Sequence, residues 1–237
     1  IEHLNLFMVG DSTKIERFPE ILSSKYGSTP PRLLVFIGSM SLIFREEIQS
    51  LWGKVPAIVC GADPYVYHEK FYRQRDTVTP EEKTHMSELA EEFNFTYMHT
   101  PIYLEENVQL MCRMIPGMKK LIFLGDGIYP NPEYDKQLRE LIKDKYPQMD
   151  YEYISSRTNS LHQLYNAVRK TDKTTGILVS TWFTESFTSS NFLINAYRSI
   201  ASIPAPLFTI RYAGMHDGGM VGGYPYNDQI CTRQLLK

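Results

Sequence analysis

The stretch LIFLGDG, Leu121 to Gly127, decides the fold. Its apolar residues run without a charge into Gly, Asp and Gly, and the apolar positions that follow, Tyr134, Leu138, Leu141 and Ile142, fall at helical spacing. An uninterrupted apolar run reads as a strand buried on both faces, and the stripe after it reads as a helix packed on that strand. Working outward, comparable runs are LNLFMVGDS (Leu4 to Ser12), LLVFIGS (Leu33 to Ser39), AIVCGAD (Ala57 to Asp63), GILVSTW (Gly176 to Trp182) and PLFTIRY (Pro206 to Tyr212). Strands of this kind alternating with helices predict an α/β chain with parallel sheets. In such sheets ligands sit outside the carboxyl ends of the strands, where these Gly, Ser and Asp residues fall.

The first half reads as strands at about 4–9, 33–37 and 56–60, with a short one at Phe95 to His99. A helix around Ile15 to Tyr26 restarts at Pro19 and closes at Gly27; another carries Phe44, Ile48, Leu51 and Trp52 and stops at Gly53. The aromatic, mixed-charge segment from Asp63 to Thr79 is long for a connection in a compact α/β unit and reads as a functional loop or flap. TPEE, Thr79 to Glu82, has the form of a capping box ahead of a helix with Met86, Leu89, Ala90 and Phe93 on its buried stripe. The second half opens with a helix bearing Leu104, Val108, Met111, Cys112 and Ile115, then strand-helix units with strands at Leu121 to Gly125, Tyr151 to Ile154 and Ile177 to Thr181. A strand at Pro206 to Ile210 leads into the Gly-rich GMHDGGMVGGYPYND. The expected organisation is two α/β lobes, residues 1–102 and 103–237, the C-terminal segment returning toward the first.

Composition narrows the function classes. The 237 residues are 43% hydrophobic and 22% charged with a net charge of -2, and their Lys and Arg are scattered, so no footprint for nucleic acid is present. No apolar stretch reaches the roughly 20 residues that span a bilayer, and no membrane contact by this segment is expected. The chain opens at Ile1 inside a strand-like run and is read as an excised or processed fragment. Cys60, Cys112 and Cys231 form no CxxC or Cys/His cluster; Cys60 ends a strand and Cys112 lies on an apolar helix face, so both read as core thiols.

Several motifs suggest chemistry. GDS, Gly10 to Ser12, ends the first strand where a GDS-type serine esterase keeps its nucleophile, but no histidine has Asp three residues before it, and Ser12 is more simply a helix N-cap. Asp126 ends a strand as the acid of a metal-dependent phosphoryl enzyme does, yet the neighbouring strand ends, Ser155 with Ser156 and Thr181, offer no second acid for Mg²⁺. His216-Asp217 completes no zinc ligand set, and GMVGG, Gly219 to Gly223, is not a dinucleotide fingerprint. No cofactor and no metal are implied, and the segment is read as a non-enzyme.

What the strand ends do carry is a set of aromatic and hydrogen-bonding residues. Ser39, Asp63 and Tyr65 come from the first half; Asp126, Tyr129, Thr181, Trp182, Arg211 and Tyr212 come from the second, with Tyr67 and Phe183 beside them. Flat aromatic faces and a few fixed polar groups suit a non-covalent pocket for a sugar ring or an amino acid. Arg211 favours an amino or organic acid if it faces the ligand, and the aromatic residues favour a carbohydrate if it does not.

VPAIVCGADPY (Val55 to Tyr65), ENVQLMCRMIPGMKKLIFLGDG (Glu106 to Gly127) and GGMVGGYPYND (Gly218 to Asp228) resemble segments of bilobal type I periplasmic-binding-protein-like sensor and substrate-binding proteins. In particular, the chain resembles the extracytoplasmic sensor domains attached to bacterial two-component histidine kinases. The resemblance implies two Rossmann-like lobes around a ligand cleft, a small-molecule ligand, a homodimer through the parent receptor, and a periplasmic location as part of an inner-membrane protein. The opening aligns with the family's second strand, so the first lobe is expected to be shortened at its N-terminus. A solute-binding receptor of an ABC transporter is the alternative within the same family.

Overall fold

The computed structural model describes residues 17–27, 29–67, 83–126, 130–182, 203–211, 219–226 and 233. Two compact units divide between Thr100 and Pro101. Each is built on its own parallel sheet.

In the first unit, helix α1 (Phe18–Tyr26) holds Pro19 in its first turn, where the missing N–H has no helical partner to lose, and buries Phe18 and Leu22. Strand β1 (Leu34–Ile37) leads through a 3₁₀ helix (Ser39–Phe44) into α2 (Arg45–Trp52), and Phe18 packs on Phe44 with ring centroids 4.7 Å apart. Next come β2 (Ala57–Ala62), β3 (Tyr65–Tyr67), β4 (Lys83–His85), helix α3 (Met86–Phe93) and β5 (Phe95–His99). The sheet order is β1-β2-β5, all parallel. One face of it, carrying Leu34, Phe36, Ala57, Val59, Phe95 and Tyr97, packs with Leu42, Val66, Met86 and Leu89. On and just before β1, the alternate residues Leu33, Val35 and Ile37 are exposed, Ile37 to 83%.

Of the segment from Asp63 to Thr79, read as a functional loop or flap, the part beyond Tyr67 lies outside the described residues. Tyr65–Tyr67 and Lys83–His85 pair as an antiparallel two-stranded sheet. Helix α3 therefore starts at Met86 rather than beside Thr79 to Glu82, which lie outside the described residues. His85 caps it, accepting the Ser87 N–H at Nδ1, 3.3 Å. Three-residue pairing has taken the extended Lys83–His85 out of the helix that the capping pattern foresaw.

The second unit contains α4 (Leu104–Met114), β6 (Lys120–Gly125), α5 (Asn131–Lys145), β7 (Asp150–Ser155), α6 (Leu161–Val168), β8 (Thr175–Val179) and β9 (Leu207–Thr209). All four strands are parallel, in the order β7-β6-β8-β9. Leu121, Phe123, Leu178 and Phe208 pack on one side with Val108, Met111 and Leu138; Ile122, Leu124, Ile177, Val179 and Leu207 pack on the other with Leu164, Val168 and Trp182. Burial on both faces is why β6 and β8 show no polar alternation. Gly176 admits α4: a Cβ there would lie 2.6 Å from the Met111 methyl.

Val221 and Gly222 of the Gly-rich segment lie against this sheet. The Val221 N–H donates to the Leu207 carbonyl at 2.8 Å, and the Thr209 N–H to the Gly222 carbonyl at 3.1 Å. Gly222 bridges Phe208 in the parallel sense. At Gly223 a Cβ would collide with the Thr209 carbonyl, so only glycine passes there. Among the described residues, no helix is long and apolar enough to cross a membrane. The opening run Leu4 to Ser12, on which the expected shortening of the first lobe rests, lies outside the described residues.

Candidate functional site

The chain leaves β6 toward β7 on one side, then returns across β6 to start β8 on the other, so strand order reverses between β6 and β8. In open parallel sheets, a reversal of this kind is where ligands bind, outside the carboxyl ends of the strands. Asp126 follows β6 directly, and Thr181 follows β8 after Ser180.

A closed ring of hydrogen bonds joins these strand ends to α5. Thr181 donates its hydroxyl to Asp126 Oδ2 at 2.7 Å, Asn131 Nδ2 donates to Asp126 Oδ1 at 2.7 Å, and the same amide nitrogen donates to Thr181 Oγ1 at 2.8 Å. Asp126 and Asn131 are 2% and 1% exposed. Tyr153, from β7, donates its hydroxyl to the Asp126 main-chain carbonyl at 2.6 Å. Burial pushes the Tyr153 hydroxyl above the usual tyrosine range, which keeps it a neutral donor.

Gly125 lets the ring close. A Cβ at this position would stand 3.0 Å from Asn131 Cβ and 3.2 Å from Tyr153 Cε2. Both carboxylate oxygens of Asp126 already hold a donor, an arrangement that positions neighbours rather than abstracts a proton.

Buried side-chain atoms with no hydrogen-bond partner among the described residues gather at the same end of the sheet: Asn131 Oδ1, Ser180 Oγ, Trp182 Nε1 and Arg211 Nε. Others lie in the first unit, at Arg45 and Thr100, and in the second unit at the Tyr226 hydroxyl. Arg211 follows β9 and is half-buried; its N–H donates to Thr209 Oγ1 at 3.0 Å, and the Thr209 hydroxyl donates back to the Arg211 carbonyl at 2.9 Å. Native proteins leave few buried polar groups unpaired, so a run of them along one strand-end edge calls for water or a ligand.

Trp182 takes a different place from the one its sequence position suggested. It is 1% exposed and belongs to the core cluster with Ile154, Leu164, Val168, Ala205 and Leu207. Its ring faces are occupied by protein, so Trp182 backs the strand ends instead of offering a wall to a ligand. A bulky apolar residue after a buried strand satisfies either description in sequence; only the packing separates them.

The first unit repeats part of the device. Ser39, at the end of β1 and 2% exposed, donates its hydroxyl to Asp63 at the end of β2, 2.9 Å away. The turn into Ser39 needs the φ of +81° at Gly38, whose N–H donates to the Cys60 carbonyl at 2.8 Å. Tyr65 is half-buried in the β3-β4 pair, with the His85 ring edge-on at 5.2 Å and Lys83 Nζ 4.3 Å from its centroid. Tyr129, Phe183 and Tyr212 lie outside the described residues, as do Ser12 of the GDS tripeptide and the His216-Asp217 pair.

Asn131 and Tyr153 are the site residues that the sequence did not mark. The signal for Asn131 was available: an Asn-Pro step opening the helix that follows a strand-end Asp. Among the described residues, no group of three or more His, Cys, Asp or Glu could hold a metal ion.

No family model matches the chain, and no curated protein does. Solved structures do. One, from Streptococcus pneumoniae and described as an ABC domain in complex with L-Trp, is 14% identical with a TM-score of 0.55, over 96% of this chain and 71% of that one. Another, a conserved domain protein from Vibrio cholerae O1 biovar El Tor, is 14% identical with a TM-score of 0.51, over 94% and 67%. The chain has an α/β fold of the periplasmic-binding-protein-like kind, with parallel sheets in both units.

Proposed function

We propose that this chain is a small-molecule-binding module of the periplasmic-binding-protein type, serving as the extracytoplasmic sensing domain of a two-component histidine kinase. Its ligand is a sugar or an amino or organic acid, taken at the strand ends that carry Asp126, Thr181 and Arg211 in the second unit. The observation that carries this reading is the Asp126–Asn131–Thr181 ring at the strand-order reversal between β6 and β8, with unpartnered buried polar atoms beside it. That is where an open parallel sheet binds ligands, and the ring holds its polar groups in fixed orientations before a ligand arrives.

In this reading the protein lies in the periplasm as part of an inner-membrane receptor that pairs as a homodimer. Signalling then requires the ligand to bind two arrangements of the receptor with unequal affinity, because only that difference shifts a population. A transport receptor is the second reading, favoured by the likeness to a structure described as an ABC domain.

A thermal-shift screen of this chain against sugars, amino acids and organic acids tests the binding reading. One chemical class should raise Tm in a concentration-dependent way, by the equivalent of about 2.7 kcal/mol at 100 times its Kd. A flat response across all three classes would defeat it. Sensor and transport roles separate in the intact cell: ligand-dependent phosphorylation of a kinase in the same polypeptide marks a sensor, and ligand uptake lost on deletion marks a transport receptor.

A further inference from the structure

We infer that the binding point between β6 and β8 is a receptor for a primary ammonium group, so that the ligand is an α-amino acid rather than a sugar or a plain organic acid. This inference rests on the binding reading above and deepens it.

The argument is a count of hydrogens. Asn131 has two amide hydrogens, and its Nδ2 donates to Asp126 Oδ1 and to Thr181 Oγ1. Thr181 has one hydroxyl hydrogen, which goes to Asp126 Oδ2. Both Asp126 side-chain oxygens accept within the ring, Oδ1 from Asn131 and Oδ2 from Thr181. Every side-chain donor in the ring is consumed inside it, and what remains for a ligand is acceptors.

The orientation of the Asn131 amide is not arbitrary either. Turned over, it would set its carbonyl oxygen against the Asp126 carboxylate and leave Thr181 Oγ1 without a donor; the carboxylate therefore fixes Nδ2 inward and Oδ1 outward from the ring. Asn131 Oδ1 is buried, and it has no hydrogen-bond partner among the described residues. A ligand carboxylate or ether oxygen cannot serve it. A hydroxyl offers one hydrogen and brings lone pairs that the ring cannot satisfy. An ammonium offers three hydrogens, and its positive charge is favoured beside a carboxylate.

The complementary group stands along the same edge. β9 is hydrogen-bonded to β8, so the residues just beyond them, Arg211 and Thr181, lie on neighbouring strands, a spacing of about 4.8 Å. The Arg211 Nε atom is buried and has no hydrogen-bond partner among the described residues. Accept-only groups after β6 and β8 and a guanidinium after β9 match the two ends of a zwitterion.

The test compares matched probes on the unaltered chain by calorimetry: the common L-amino acids, their 2-hydroxy acid counterparts, which replace the ammonium with a hydroxyl, and a panel of neutral sugars. The expected result is binding of one or more amino acids, with the matching hydroxy acid weaker by about 10- to 100-fold. Asn131→Leu should reduce that discrimination to near unity, and Arg211→Met should weaken the amino acid and the hydroxy acid alike. Equal binding of an amino acid and its hydroxy acid, or binding of a sugar alone, overturns the ammonium assignment and leaves the binding module standing. Binding by no probe in any arm overturns the binding module itself, and the assignment with it. The wild-type comparison stands whether or not either variant folds.

Discussion

Asn107 and Tyr224, 117 residues apart, are joined through both ends of one carboxamide: Asn107 Nδ2 donates to the Tyr224 carbonyl at 3.2 Å, and Asn107 Oδ1 accepts the Tyr224 N–H at 2.8 Å. Asn107 is fully buried on α4, and its Nδ2 also reaches the Tyr103 carbonyl at 2.6 Å. Truncation to Ala strands main-chain groups of the Gly-rich segment, so Asn107→Ala should cost about 1–3 kcal/mol in denaturant unfolding. Asn107→Asp keeps the acceptor alone and should recover only part of the loss. A neutral Asn107→Ala would show that the clamp does not hold the segment.

The ring around Asp126 behaves as one object. Asn131→Ala and Thr181→Val each remove a donor from a buried carboxylate, and each should destabilise by about 1–3 kcal/mol. Because the two residues also bond each other, their effects should not add: a double-mutant cycle should return a coupling above about 0.5 kcal/mol. Additive losses would mean that the three side chains act separately.

Gly125→Ala should disturb this ring without touching any of its polar atoms. The new methyl presses on Asn131 and Tyr153, each of which must give by a few tenths of an ångström. Overpacking of this kind costs about 1–3 kcal/mol. Its signature is a simultaneous loss of ligand affinity and stability, read by calorimetry and by thermal unfolding.

Trp182 decides between two roles. As a core residue it should cost about 3–5 kcal/mol when cut to Ala. In a Trp52→Phe background its fluorescence should be blue-shifted and poorly quenched by acrylamide. Red-shifted, readily quenched emission would return it to the surface.

Asp172 supplies an acid-sensitive turn. The Thr174 hydroxyl and N–H donate to its Oδ1 at 2.7 and 2.8 Å, and these bonds hold its carboxyl below the ordinary 3.8. A lowered folded-state value means that the contribution is fully present above the unfolded value and is lost as pH falls through the folded one. Asp172→Asn should therefore reduce stability at neutral pH and flatten the acid limb of the unfolding curve below about pH 4. An unchanged acid limb would show that the turn contributes nothing to the pH dependence.

Much of the architecture was legible because its strands are apolar without interruption. Leu121 to Gly125 and Tyr151 to Ile154 fall inside β6 and β7, and the stripe from Leu104 to Ile115 follows α4 to its last turn. The β3-β4 pair was not legible. Each strand is three residues long, too short for periodicity to register, and Lys83-Thr84-His85 has no strand composition of its own. Of the site, Asp126 and Thr181 were visible as polar ends of apolar runs, while Asn131 and Tyr153 belong to neighbouring elements and join them only through the crossover of the chain. Trp182 packs into the core cluster at 1% exposure, and packing of that kind leaves no trace in spacing.

The backbone of the Gly-rich segment lies along the outer side of β9, taking up the Thr209 N–H and the Leu207 carbonyl. A parallel sheet that stopped at β9 would present those groups as a template for strands of other molecules. Side chains could not do this work where Gly223 passes the Thr209 carbonyl, since a Cβ has no room there. The segment thus acts as a selvedge, a finished border that keeps the fabric of the sheet from being extended. Gly223→Ala should be recognised less by a fall in Tm than by concentration-dependent association of otherwise folded protein.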